Sequence, residues 1–201
     1  MTPGRTPFAK KRTAILISGR GSNMRALIEA ARDPAYPAEI ALVISNRADA
    51  PGLAFAKAAG IATAFIDHKI YAGREEFDRS MQAMLAIHRI ELVCLAGFMR
   101  LLSPWFVAQW EGRMLNIHPS LLPAYKGLHT HARALADGAR EHGCTVHFVV
   151  AELDAGPALL QAKVPVLAGD TAETLAARVL GVEHGAYVEA VRRVAGASTR
   201  H

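Results

Sequence analysis

Apolar residues fall into two rhythms along the first 120 residues of the chain. Short, nearly unbroken runs occur at Thr13–Ile17 (TAILI), Glu39–Ser45 (EIALVIS), Ala62–Ile66 (ATAFI), Leu92–Ala96 (LVCLA) and Met114–Ile117 (MLNI). Runs of that length without regular polar alternation predict strands buried on both faces. Between them lie stretches whose apolar positions recur at spacings of three and four. Met24, Leu27, Ile28 and Ala31 predict a helix that Asn23 could cap. Residues 53–59 predict a short helix with Gly60 as its C-cap. Residues 73–88 predict a longer one with an inner stripe of Phe77, Met81, Met84, Leu85 and His88. Strands that alternate with helices imply right-handed crossovers and a doubly wound α/β fold around a mostly parallel twisted sheet.

The rhythm changes in the second half. Cys144–Val150 (CTVHFVV) and Ala158–Val166 (ALLQAKVPV) are joined through Asp154-Ala155-Gly156-Pro157, with no room for a helix. They are expected to be antiparallel or an edge addition to the sheet. Residues 171–194 read as one long closing helix, with Gly181 and Gly185 as places where it could bend. No repeat, low-complexity segment or linker interrupts the pattern, so residues 13–201 are expected to form a single domain. Residues 1–12 are basic and contain proline, and no apolar segment follows as in a signal peptide; they read as a flexible tail. No apolar run approaches the roughly 20 residues of a membrane span, so no membrane partner is expected.

Charge narrows the partners. The net charge is +5, yet Lys10-Lys11-Arg12 is the only basic run, and aromatic residues make up 6% of the chain. A nucleic-acid binder would show a basic stripe with interleaved aromatics, whereas anionic small-molecule substrates fit a scattered surplus. Cys94 and Cys144 lie inside apolar segments and read as buried thiols, which suits a reducing cytoplasm.

Four stretches carry candidate chemistry. Ser18–Asn23 (SGRGSN) follows a strand and opens a helix, where free amide N–H groups can hold a phosphate. It lacks both G-x-G-x-x-G and the Walker pattern, so a plain tight turn is an equal reading. In Asn116-Ile117-His118-Pro119-Ser120, an extended backbone places Met114, Asn116 and His118 on one side and Leu115 and Ile117 on the core side. Pro119 holds His118 extended and ends the strand. An amide donor thus stands beside a titratable ring at a strand's carboxyl end, where open α/β sheets bind ligands. The same two residues could equally serve loop backbone. Asp154 could orient His118, or could simply form its turn. Ala96–Phe106 (AGFMRLLSPWF) offers an apolar slot with Arg100 at its rim, suited to a flat heteroaromatic with a carboxylate tail, or else a buried loop. His129, His131, His142 and His147 match no zinc spacing, and no metal is expected.

Together these stretches resemble the phosphoribosylglycinamide formyltransferases, a folate-dependent family of purine synthesis. The resemblance rests on LISGRGSN, SNRADAPGL, AGIAT, AGFMRLLSP, LNIHPSLLPAYKGLHTH, HGCTVHFV, ELDAGP and QAKVPV, in order over about residues 14 to 184. Asn-x-His with a later Asp is shared across the wider formyltetrahydrofolate-using family; YKGLHTHARAL points to the glycinamide ribonucleotide branch. The resemblance implies a Rossmann-like formyltransferase fold, a cytoplasmic monomer or homodimer, and 10-formyltetrahydrofolate as co-substrate. It implies formyl transfer to the amine of glycinamide ribonucleotide through a tetrahedral intermediate. Asn116, His118 and Asp154 would be the catalytic trio. Gly21, Ser22, Asn23 and Glu183 would hold the ribonucleotide, and Arg74, Met99, Arg100, Leu101 and Leu102, with Asn116, would meet the folate. Leu180 departs from the polar residue common near that phosphate, and the chain ends soon after its last helix, where many relatives add a strand and tail. A deformylase, with water in place of the amine, is the alternative within this fold; a non-catalytic nucleotide-binding domain is the alternative outside enzymes.

Overall fold

The structure, a computed structural model, describes residues 9–197. Its strands are β1 (Lys11–Ile17), β2 (Ala38–Ser45), β3 (Ala62–Phe65), β4 (Leu92–Leu95), β5 (Met114–His118), β6 (Glu141–Phe148) and β7 (Ala158–Pro165). They form one seven-stranded sheet in the order β3-β2-β1-β4-β5-β6-β7. Neighbours from β3 to β5 are parallel; β5 with β6 and β6 with β7 are antiparallel. The expected parallel sheet with an antiparallel edge is therefore the observed one. The strand order reverses between β1 and β4, which opens a crevice at their carboxyl ends.

The unbroken apolar runs arise because the sheet is covered on both faces. Ile15 and Ile17 pack with Met24 and Leu27 of α1 (Ser22–Ala31) and with Leu175, Val179, Tyr187 and Val191 of the closing helix. Ala14 and Leu16 point to the other face, against Phe77, Met81 and Leu85 of the helix Arg74–Ile87 and Phe106 of the helix Pro104–Gln109. Each fully buried Ile, Leu, Val, Met or Phe among them stabilises the fold by about 1.5–3 kcal/mol. In chain order after α1, the helices are α2 (Pro51–Ala58), α3 (Arg74–Ile87), α4 (Pro104–Gln109), α5 (Thr130–Ala136) and α6 (Ala172–Gly196). The buried Tyr187 hydroxyl lies 2.9 Å from the Leu95 carbonyl and 3.1 Å from that of Leu115. It ties α6 to the strand pair that ends at the crevice.

Several expectations need correction. Lys11 and Arg12 belong to β1, where the Lys11 N–H donates to the Pro37 carbonyl at 2.8 Å, so the expected tail of residues 1–12 is too long. Its first eight residues lie outside the described ones. Asn23 does not cap α1. Gly21 takes that position at φ 68°, a left-handed conformation that suits glycine, and Asn23 is buried inside the first turn. On α3 the fully buried stripe is Phe77, Asp78, Met81 and Leu85; Met84 packs half-buried against the same core as expected, whereas His88 falls past the helix as its C-cap. Asp78 joins the stripe because its carboxylate accepts the Ser103 N–H at 2.6 Å; burial raises its pKa against that bond. The α6 helix runs unbroken past Gly181 and Gly185 from a Thr171–Thr174 capping box. Both cysteines are buried free thiols, pushed up to about 12 by desolvation.

Candidate active site

The carboxyl end of β5 carries the densest chemistry. Met114, Leu115 and Ile117 are buried, and Leu115 and Ile117 join the core that faces α6. Asn116 and His118 alternate with Leu115 and Ile117 and share the side of Met114, as the extended backbone requires. The His118 Nε2 lies 2.9 Å from the Tyr125 carbonyl, an acceptor only, so this nitrogen carries the proton. Its Nδ1 lies 3.4 Å from Oδ2 of Asp154, and both side chains are almost fully buried. Of the two readings open for Asp154, the one in which it orients His118 is thus supported by a direct contact of ion-pair length.

Asp154 reaches that position through a strained turn. Its φ is 50°, unusual for a residue with a side chain, and its Oδ2 also accepts the Gly127 N–H at 2.9 Å. Two residues on, Gly156 passes so close to the Phe148 carbonyl that a Cβ there would collide with it. The turn that delivers the acid therefore requires glycine at 156. His147 completes the cluster, a residue whose role the sequence left open. Its Nδ1 donates to the Phe148 carbonyl at 2.9 Å, and its Nε2 lies 3.2 Å from Asn116 Nδ2. Burial lowers its pKa, against the Phe148 bond and Asp154, so the neutral ring accepts from Asn116. This fixes the carboxamide with its oxygen and one N–H still available. The β5–β6 register sets Asn116 opposite His147, which only the antiparallel return could have shown.

At the other side of the crevice, Gly21 and Ser22 open α1, with no acidic residue in its first turn. Asn23 Nδ2 donates to Glu183 Oε2 at 2.7 Å, joining α1 to α6. Burial raises the Glu183 pKa while the Asn23 bond opposes it. Among the described residues no donor reaches the buried Asn23 Oδ1, leaving an acceptor for a ligand. Leu180, half-buried one helical turn before Glu183, adds no polar group there.

The residues expected to meet the folate divide between two cavities. The first, of about 120 Å³, is lined by Arg100, Leu101, Leu102, Asn116, His147 and Asp154 among others. The second, of about 550 Å³, lies over the carboxyl ends of β1, β2 and β3 and takes Met99 and Arg100. Arg74, the exposed first residue of α3, lines neither. The loop that carries Met99 is anchored through Ser18, whose hydroxyl accepts the Met99 N–H at 2.8 Å and lies 2.6 Å from Asn46 Oδ1. Of the remaining histidines, His131 Nδ1 and His142 Nε2 are 3.2 Å apart, and burial and this neighbour lower His142 to about 4. Among the described residues no three His, Cys, Asp or Glu side chains are grouped as metal ligands, and no helix is long and apolar enough to cross a membrane.

Comparison with known proteins bears on the family and the fold. The family model described as Formyl transferase matches residues 11–191. A phosphoribosylglycinamide formyltransferase of Escherichia coli K12 is 51% identical over 173 residues, covering 86% of this chain and 82% of that protein. The trifunctional purine biosynthetic protein adenosine-3 of Gallus gallus is 50% identical over 98% of this chain. The chain spans only 20% of that longer relative. The crystal structure of a phosphoribosylglycinamide formyltransferase from Brucella melitensis superposes with a TM-score of 0.90 at 54% identity, covering 94% of this chain and 98% of that one.

Proposed function

We propose, starting from the fact that the chain belongs to the formyl transferase family, that it moves a formyl group from 10-formyltetrahydrofolate to the primary amine of glycinamide ribonucleotide. The reaction belongs to purine synthesis and one-carbon metabolism, here assigned to the cytoplasm, with residues 13–201 acting as one unit, monomer or homodimer. The observation that carries this reading is the buried His118–Asp154 contact of 3.4 Å beside the cavity lined by Asn116.

The amine lone pair attacks the formyl carbon, and the carbonyl π pair moves onto oxygen. The resulting oxyanion meets the Asn116 N–H that His147 leaves available, together with the His118 ring. Collapse of the tetrahedral intermediate restores the carbonyl and breaks the bond to the folate nitrogen. That nitrogen leaves with a proton, and the former amine loses one. Asp154, beside Nδ1, aims the imidazole and gives it a partner of opposite charge. The Tyr125 carbonyl now occupies Nε2, so the loop that carries it must withdraw before this nitrogen can serve substrate. Gly21, Ser22 and the α1 amides hold the ribonucleotide phosphate, and Asn23 with Glu183 receives its donor groups. Arg100, Leu101 and Leu102 seat the folate, flanked by Met99 and Arg74. The scheme uses no metal and no covalent enzyme intermediate.

The test is folate consumption by the purified protein with and without glycinamide ribonucleotide. Turnover that depends on the ribonucleotide and yields its formyl derivative is expected. Formate release that ignores the amine would replace this reading with the deformylase one.

A further inference from the structure

Met99, Arg100, Leu101 and Leu102 lie on the connection from β4 to α4, and the last three line the first cavity with Asn116. This connection forms neither strand nor helix, so groups outside it must hold its backbone. Near its start the Ser18 hydroxyl accepts the Met99 N–H at 2.8 Å. At its end Asp78 Oδ2 accepts the Ser103 N–H at 2.6 Å, one residue after Leu102. The folate side chains are thus strung between two fixed points.

The second point is an unusual one. Asp78 is fully buried on α3 and lines neither cavity. Its Oδ1 is buried without a donor among the described residues. A carboxylate held by so few bonds sits there at a desolvation cost, which the Ser103 N–H offsets only in part. The packing of α4 on α3 has other supports. The Arg79 guanidinium lies over the Trp105 ring at 4.3 Å, and Gln82 Oε1 accepts the Trp110 Nε1–H at 2.8 Å. The Ser103 hydroxyl caps α4 by accepting the Phe106 N–H at 3.2 Å. What the acid adds is confined to the backbone beside Leu102.

We propose that Asp78 is a positioning residue for the folate: by holding the Ser103 N–H it sets where Arg100, Leu101 and Leu102 present their side chains to the first cavity. The proposal rests on the folate reading above and adds a residue that acts on that site from outside it.

The experiment measures kcat and the KM for each substrate in the unsubstituted protein, Asp78→Asn, Asp78→Ala and Asp78→Leu, with circular dichroism reporting whether each variant is folded. Alanine and leucine remove the acceptor. They should raise the KM for 10-formyltetrahydrofolate about three- to tenfold, the loss that one hydrogen bond supports, with kcat and the ribonucleotide KM little changed. Asparagine keeps an acceptor for the Ser103 N–H and should hold the folate KM within about twofold of the unsubstituted protein. An unchanged folate KM in the alanine and leucine variants would overturn the proposal. So would an equal rise in the ribonucleotide KM, or an asparagine variant as impaired as alanine. Failure of both alanine and leucine variants to fold would make the bond a requirement of the fold and overturn it as well. No turnover by the unsubstituted protein would strike at the folate reading itself, and the proposal with it.

Discussion

The crevice is built from two regions that present different groups. After β1, the loop into α1 offers backbone: Gly21 in a left-handed turn, free amide groups at a helix start, and Asn23 tied to Glu183. After β5 and β6, side chains take over: Asn116, His118, His147 and Asp154 contact one another over distances of 3.2 to 3.8 Å. The first region offers an anion backbone amides, which do not titrate, beside the buried Asn23–Glu183 pair. The second has acids and imidazoles whose protonation decides what they can do. Parallel strands feeding helices give the former. The antiparallel return of β6 gives the latter, because it lays His147 opposite Asn116 and lets the next turn carry Asp154 to His118.

Substitutions should separate the two regions by which kinetic constant moves. The largest effect is expected for Asn116→Ala, which removes one oxyanion donor: kcat should fall about 100- to 1000-fold, read in single-turnover formyl transfer. Asp154→Asn should lower kcat at least about tenfold near pH 7 while calorimetric affinities for both substrates stay unchanged, because the imidazole loses its charge partner. Gly21→Ala should act on the other region. A Cβ would approach Met24 Cε to 3.0 Å at a φ of 68°, a strain of about 1 kcal/mol. The KM for the ribonucleotide should rise about fivefold, with the folate KM and kcat little changed.

The remaining effect concerns stability, and it comes from His142 on β6. His142 is lowered from 6.5 to about 4 by burial and by His131. The unfolded chain takes up a proton near pH 6.5, whereas the native ring resists it until about 4. Acidification through that window therefore favours unfolding; the contribution is fully present above pH 6.5 and is lost below it. Thermal melts should show a loss of about 3 kcal/mol from this group between those pH values. The same series with His142→Gln should slope less steeply, and an equal slope would remove His142 as the cause.

Much of this was legible in the chain. Runs such as TAILI and LVCLA announced their strands because burial on both faces removes polar alternation. Asn116 and His118 could be placed on one side of β5 from two-residue spacing and the proline that follows. The helices α4 and α5 were missed, since six and seven residues are too few to show a period. Asn23 misled because the local signal for an N-cap is the same whether the side chain turns back to the helix or reaches Glu183, 160 residues away. His147 and the Tyr125 carbonyl needed the register of β6 and the path of a loop with positive φ at Tyr125 and His129, which no local pattern encodes. Arg74 was placed by resemblance, and its position outside both cavities follows from where α3 begins.

The central claim is that His118 and Asp154 act as one unit on the formyl carbonyl, and a double-mutant cycle on kcat measures this directly. If they do, His118→Ala with Asp154→Ala together should be about as slow as His118→Ala alone, because the acid works only through the ring. Losses that multiply, with the double variant slower than either single one by the product of both factors, would show two independent roles and contradict the account.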